Sequence, residues 1–202
     1  MQKISRILTP TFRRFVALMV LTVGLTACAT PERPQFPELR FTHLAPITLG
    51  VANIQIVEAG GDTLTGTHVE SRMPRPPSEA MRNWAQDRLK ANGVSGTAIF
   101  TIEEASVVGA DLATTPGIKG AFTNDQAERY QLRVRATLKL EGVPRVSQAF
   151  ADTSVDRSQT VAENATINDR EQIWFDMTES SMQEFNKTME ASIRQHLADF
   201  VR

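Results

Sequence analysis

The chain reads as an α+β domain: a mostly antiparallel four-stranded sheet with two helices on one face, in the order β-α-β-β-β-α. Three observations predict it. The segment from Glu128 to Glu141 alternates polar and apolar residues from Arg129 onward, as a strand with one buried face does. Two segments, opening near Ser78 and Asp169, carry apolar residues at three- and four-residue spacing, the pattern of amphipathic helices. The remaining apolar runs are short, alternate, and are bounded by glycine and proline. Helices gathered on one side of such a sheet define the class.

The first strand spans Ile47 to Ile56. Ile47, Leu49 and Val51 share a face, then Ile54 and Ile56 take the other parity, which predicts a β-bulge at Ala52-Asn53. Gly60-Gly61-Asp62 and the Pro74 to Pro77 region mark a loop. Ser78 is the expected N-cap of a helix of about four turns, with Met81, Trp84, Ala85 and Leu89 on one face and Asn92-Gly93 as its stop. Trp84 is expected to anchor that face in the core.

The second strand runs from Thr97 to about Val108, with Ala98, Phe100 and Ile102 alternating. Loop 109–126 holds Gly109, Pro116, Gly117 and Gly120; loops of this length are often functional or disordered, and nothing in its residues decides which. In the third strand Tyr130, Leu132, Val134, Ala136, Leu138 and Leu140 point one way. Arg129, Gln131, Arg133, Arg135, Thr137, Lys139 and Glu141 fall on the wet face. Gly142-Val143-Pro144 turns the chain into the fourth strand, Val146 to Arg157, where Ala149, Ala151, Thr153 and Val155 share a face.

Asn168 with Glu171 resembles a capping box at the start of the last helix, Asp169 to Val201. Its apolar stripe is Ile173, Trp174, Met177, Ser181, Phe185, Met189, Ile193, His196, Leu197 and Phe200. At about 1.5 Å per residue the helix reaches roughly 50 Å, which predicts a kink or a projecting end.

The region before the domain has its own composition. Lys3, Arg6, Arg13 and Arg14 precede an apolar run from Phe15 to Leu25, followed by small residues. These are the three parts of a secretory signal peptide, and the run is shorter than the about 20 apolar residues that span a bilayer. From Ala29 to Pro46 the prolines at 31, 34, 37 and 46 favour an extended tether. The expected organisation is a signal peptide at 1–27, a tether at 28–45 and a single α+β domain at 46–202.

Without residues 1–27 the chain has 175 residues, with 18 Lys plus Arg against 23 Asp plus Glu, a formal charge of −5. Such a chain is not built to coat nucleic acid or to lie on anionic lipid by charge alone. Cys28 is the only cysteine, so no intrachain disulfide supports the fold.

Leu25-Thr26-Ala27-Cys28 resembles the lipobox of bacterial lipoproteins. The resemblance implies cleavage before Cys28, a diacylglyceryl group on its thiol and usually an acyl chain on its new amino group, with no other cofactor. Each buried methylene contributes about 0.8 kcal/mol, so two or three chains anchor stably where one would be marginal. Ala29 after the cysteine implies the outer membrane, facing the periplasm; the inner membrane stays open.

No catalytic constellation is visible, and the chain is read as a non-enzyme. His43, His68 and His196 are far apart and form no metal-ligand spacing. His196 is read as a satisfied core or edge histidine. There is no Gly-x-Ser-x-Gly elbow, His-Glu-x-x-His or phosphate-cradling glycine loop. Glu103 and Glu104, adjacent on a strand, are expected to face opposite ways. Asp111, Asp125 and the glycines between them lack calcium-loop periodicity. Arg129, Arg133, Arg135 and Lys139 remain on the wet face of the third strand. They form either an ordinary solvated face or a dock for a protein partner or acidic headgroup, for which guanidinium geometry is suited.

Two further segments carry a resemblance: the helix from Ser78 to Gly93, and Ala127-Glu-Arg-Tyr-Gln-Leu-Arg-Val-Arg-Ala-Thr-Leu138 opening the long strand. With the lipobox they resemble the lipopolysaccharide-assembly lipoproteins (LptE-like), whose members share the β-α-β-β-β-α order and sit inside an outer-membrane barrel. Ala29-Thr30-Pro31 departs from that family, which commonly has glycine and an aromatic residue there. The chain is also similar in plan to auxiliary lipoproteins of lipid-transport ABC systems. The resemblance implies a non-enzymatic accessory subunit of an envelope assembly or lipid-transport complex, with a barrel or ABC-type partner. The alternatives are a stand-alone lipid- or small-ligand-binding lipoprotein and an activator of a cell-wall enzyme.

Overall fold

The computed structural model describes residues 35–112, 126–144 and 149–202. In chain order these form β1 (Ile47–Leu49), β2 (Asn53–Gly61), β3 (Thr67–His68), α1 (Pro77–Arg88), β4 (Leu89–Ala91), β5 (Thr97–Asp111), β6 (Gln126–Glu141), β7 (Ala149–Ala162) and α2 (Ile167–His196). Single 3-10 turns lie at Glu70–Arg72 and Ala198–Phe200.

The main sheet runs β2-β5-β6-β7, with β3 also pairing β5. β5, β6 and β7 are antiparallel neighbours, whereas β2 and β5 are parallel. The sheet is therefore mixed and five-stranded where a mostly antiparallel sheet of four was expected, and the order gains three short strands. The physical reason is the connection. A helix, α1, lies between β2 and β5, and a strand-helix-strand crossover returns the chain in the same direction.

The parity change after Val51 also has a different cause from the expected bulge. β1 pairs with β4 in a separate two-stranded parallel sheet, and the chain then crosses into the main sheet as β2. Arg202 N–H donates to the Thr48 carbonyl at 2.9 Å and Leu49 bridges Val201, so the C-terminal residues flank β1 on its other side. A true bulge lies in β5. Ile102 stands opposite Ala136 and Glu104 opposite Arg135, leaving Glu103 as the extra residue.

Helix α1 starts at Pro77, the first-turn position where a missing N–H costs nothing, with Pro76 rather than Ser78 as its N-cap. It ends at Arg88 because Leu89 turns extended and opens β4. Asn92-Gly93 therefore closes a strand, not a helix. The glycine is required there: a Cβ on Gly93 would lie 2.4 Å from the Gly50 carbonyl carbon. α2 is capped by Thr166, whose Oγ1 accepts the Asp169 N–H while Asp169 Oδ2 accepts the Thr166 N–H; the box sits two residues before the expected Asn168. Its 30 residues span about 45 Å. The 14 to 16 residues of β5, β6 and β7 span roughly 46 to 54 Å, so the long helix is matched by long strands.

Both helices cover one face. Trp84 of α1, fully buried, meets Phe100 of β5 at 5.5 Å and Phe185 of α2 edge-on at 5.2 Å. Tyr130, Leu132, Val134, Ala136, Leu138 and Leu140 are buried beneath them as the alternation predicts. Each such large apolar side chain contributes about 2 to 3 kcal/mol by burial.

Candidate functional site

Leu25, Thr26, Ala27 and Cys28 lie outside the described residues, as does loop segment 113–125. Residues 109–111, expected in that loop, continue β5.

The four cations of β6 lie on the sheet face away from the helices. They do not form a uniform basic stripe. Arg133 Nε donates to Asp156 Oδ1 of β7 at 2.5 Å and its Nη1 to Thr63 Oγ1 at 2.7 Å. Lys139 pairs with Glu141 at 2.9 Å. Arg135 stands between Glu104 of β5 and Ser154 of β7. Arg129 is the exposed end of the row, opposite Ala110 and Thr160. Carboxylates on β5 and β7, together with Glu141 of β6 itself, thus interrupt the positive field of the row.

The bulge corrects the expectation for Glu103 and Glu104. Both project from the helix-free side, and each is bound by a threonine. Glu103 Oε1 accepts from Thr137 Oγ1 at 2.6 Å. Glu104 is buried and accepts from the N–H and Oγ1 of Thr63, at 3.1 and 2.8 Å. The chain between β2 and β3 folds over this end of β5, burying Ser106 and Val108 as well. The free part of the polar face is therefore centred on β6 and β7.

His68 anchors the same covering segment. Its Nε2 lies 2.7 Å from Asp62 and its Nδ1 3.0 Å from Glu70, whose Oε1 also accepts the Val107 N–H at 2.6 Å. The hydrogen bond to Glu70, with the charges of both carboxylates, raises the imidazole pKa. Among the described residues, no group of three or more His, Cys, Asp or Glu is placed to hold a metal ion, and no helix is long and apolar enough to cross a membrane. His196 is exposed, so of the two expected places, core or edge, the core is excluded.

A second feature went unread in the sequence. Residues 36–44, assigned above to the tether, form a strap across both helices. The Phe36 ring lies 5.2 Å from Phe175. Leu39 O accepts from Asn83 Nδ2 at 3.2 Å, and Asp87 accepts from the Phe41 N–H at 2.8 Å and Arg40 Nε at 2.9 Å. Residues 36–44, expected in the tether, are therefore packed onto the domain. The available signal was two phenylalanines, Phe36 and Phe41, standing among the prolines. Between strap and α2 lies an open cavity of about 330 Å³, lined by Leu39, Phe41, Leu44 and Met182 with His43 and Gln183. Beneath it Arg88, almost fully buried, bonds Asn186 and Glu190 of α2, and Trp84 Nε1 donates to the same Asn186 at 2.8 Å.

No family model matches the chain, and there is no match among curated proteins. Among solved structures it is similar to the rare lipoprotein B from Shewanella oneidensis, at 10% identity and a TM-score of 0.36, over 69% of this chain and 92% of that one. It is similar also to a minor lipoprotein from Acinetobacter baumannii, at 13% identity and a TM-score of 0.32, over 71% and 93% of the two chains. Both scores fall below the level that establishes a common fold.

Proposed function

We propose that this chain is a lipid-anchored envelope lipoprotein whose α+β domain serves as a non-enzymatic docking subunit of an assembly or transport complex in the envelope. The observation that carries the docking role is the layout of the sheet: both helices cover one side, and the long strands β6 and β7 present polar, mixed-charge side chains on the other. Such a face offers many shallow polar contacts and no enclosed reaction chamber, which suits protein recognition. The anchor is supported by the basic start, the apolar run and Cys28. Placement at the outer membrane, facing the periplasm, follows from Ala29 and belongs to the same proposal.

The test has two arms. Cells fed radiolabelled palmitate should label the wild type at Cys28 and not the C28S variant, which should leave the membrane fraction. Detergent-solubilised membranes should then yield the protein with one envelope partner at fixed stoichiometry. Absence of label on the wild type ends the lipoprotein reading, and recovery of the protein alone ends the subunit reading.

The cavity under the strap favours a second reading, a stand-alone carrier of a small amphiphile, because its floor is apolar and its rim polar. Mass spectrometry of the purified protein under native conditions separates the two: a bound lipid on a monomer supports the carrier.

A further inference from the structure

We propose that the outer edge of β7, together with the groove between it and α2, takes up an extended segment of a partner protein as an added strand. The identity of this occupant as a partner rests on the docking reading above; the edge itself is described by the fold. β7 ends the sheet, and among the described residues no other backbone pairs with its outer side. Its pairing with β6 runs without a register shift from Val161 to Ala149. Fourteen residues at about 3.3 Å give roughly 46 Å of template. The strand has no proline and no lysine, two of the devices that normally keep a sheet edge from pairing.

Alongside the edge lies a groove of about 170 Å³. Arg157 and Gln159 of β7 form one wall, and Ile173, Asp176, Met177 and Ser180 of α2 form the other. Arg157 is bonded to Glu184 through Nη2 at 3.0 Å, while its buried Nε has no hydrogen-bond partner. An edge strand flanked by a helix and a shallow groove is the arrangement in which main-chain bonds supply affinity and alternate side chains supply specificity.

The geometry also defines the occupant. A strand added about 4.8 Å from β7 sends alternate side chains to opposite faces. One set enters the groove, whose walls carry Arg157, Gln159, Asp176 and Ser180 as well as Ile173 and Met177, so small side chains able to hydrogen-bond fit there. The other set lies on the polar face next to Asp152 and Asp156. Asp156 is held by Arg133, whereas Asp152 is exposed and has no ion pair among the described residues. The segment that fits is therefore extended, with small hydroxyl-bearing residues on the groove side and a lysine or arginine across from Asp152 on the other. A second copy of this chain does not fit. α2 lies along β7, joined to it by Thr153 to Thr188 at 2.7 Å and by Arg157 to Glu184. Antiparallel pairing of two β7 strands would bring two α2 helices closer than the 8 to 10 Å that packed helices need.

The experiment selects short peptides from a displayed random library on the full-length protein in detergent and measures the binding of the selected sequences. Expected are peptides alternating small hydroxyl-bearing residues with basic ones. N-methylation of alternate peptide amides should weaken binding at least about tenfold by removing main-chain bonds. Ser180→Trp, or Gln159→Trp should the first variant lose its thermal transition, should fill the groove and weaken binding similarly. Asp152→Lys should turn the selection from basic to acidic residues. A library that yields no binder overturns the proposal, as do binders indifferent to both N-methylation and groove filling. Self-association through β7 in sedimentation, or displacement of the peptide by one copying residues 113–125 of this chain, overturns it too. A lipidated protein that brings down its partner yet selects no edge-pairing peptide sinks this inference and leaves the docking reading standing.

Discussion

Arg40 and Asp87 are joined by a charged hydrogen bond, Nε to Oδ2 at 2.9 Å, that fixes the strap to α1. The same carboxylate takes the Phe41 N–H, so one side chain on the helix holds both a guanidinium and a backbone group of the incoming chain. The Arg40 guanidinium is open to solvent, which screens its share, so the Phe41 N–H is the better shielded of the two bonds. Asp87→Asn keeps the shape and removes the charge. It should free residues 36–44, seen as faster amide exchange there and new proteolytic cleavage, while the sheet amides keep their protection.

The acid limb of the stability curve should carry the same signature. The Arg40 hydrogen bond, aided by the Phe41 N–H and opposed by burial, holds the Asp87 carboxyl below its ordinary range, and Arg170 with Tyr130 does likewise for Glu128. For a group whose folded pKa is depressed, the stabilisation is fully present above the unfolded value near pH 4 and is lost as pH falls through the folded one. Equilibrium unfolding from pH 6 to pH 2.5 should therefore show a shallower acid loss in Asp87→Asn than in the wild type. Equal slopes would mean the strap does not discriminate the charged form.

His68 should act in the opposite direction. Its pKa is raised, so its contribution is fully present below about pH 6.5 and disappears as pH rises through the raised value. Amide exchange of residues 62–70 should accelerate across that window, and His68→Gln should flatten the response.

Gly93→Ala should destabilise the junction of the two sheets. The added methyl would meet the Gly50 carbonyl carbon at 2.4 Å, and the atoms in the way are backbone. Overpacking of this kind costs about 1 to 3 kcal/mol, readable as a lower thermal midpoint with the fluorescence of the helix tryptophans Trp84 and Trp174 unchanged at low temperature.

Charge reversal on the polar face must respect the pairs already made there. Arg135→Glu would set a second carboxylate across from buried Glu104, and Arg133→Glu would do the same beside Asp156, so both should lower stability whatever they do to binding. Arg129→Glu is the cleaner probe, because Arg129 is exposed at the end of the row. It should weaken partner recovery several-fold with the thermal midpoint unchanged.

The residues explain which parts of this fold were legible. β6 was read correctly because its alternation runs unbroken from Arg129 to Glu141 and one face is buried, so each of those positions reports its side. Trp84 and the stripe from Trp174 to Ile193 were legible for the same reason at helical period. The strands β1, β3 and β4 have two or three residues each, too few for any period to register. The parallel pairing of β2 with β5 was implied by the helix between them, but alternation reports faces and is silent on direction. The bulge at Glu103 went unread although the apolar parity does change there, from Ala98, Phe100 and Ile102 to Ala105 and Val107, because the adjacent apolar Val108 blurs the new alternation. The β7 edge was equally hidden, since pairing on one side leaves the same alternation as pairing on both.

The strap sets a leash. Were Cys28 the point of attachment, the chain from it to the docked Phe36 would comprise eight residue steps, at most roughly 29 Å when fully drawn out. Eighteen free residues would have allowed about twice that excursion. On that attachment the domain would sweep a thin shell next to the bilayer, and the partner proposed for it would have to present its docking surface within that shell.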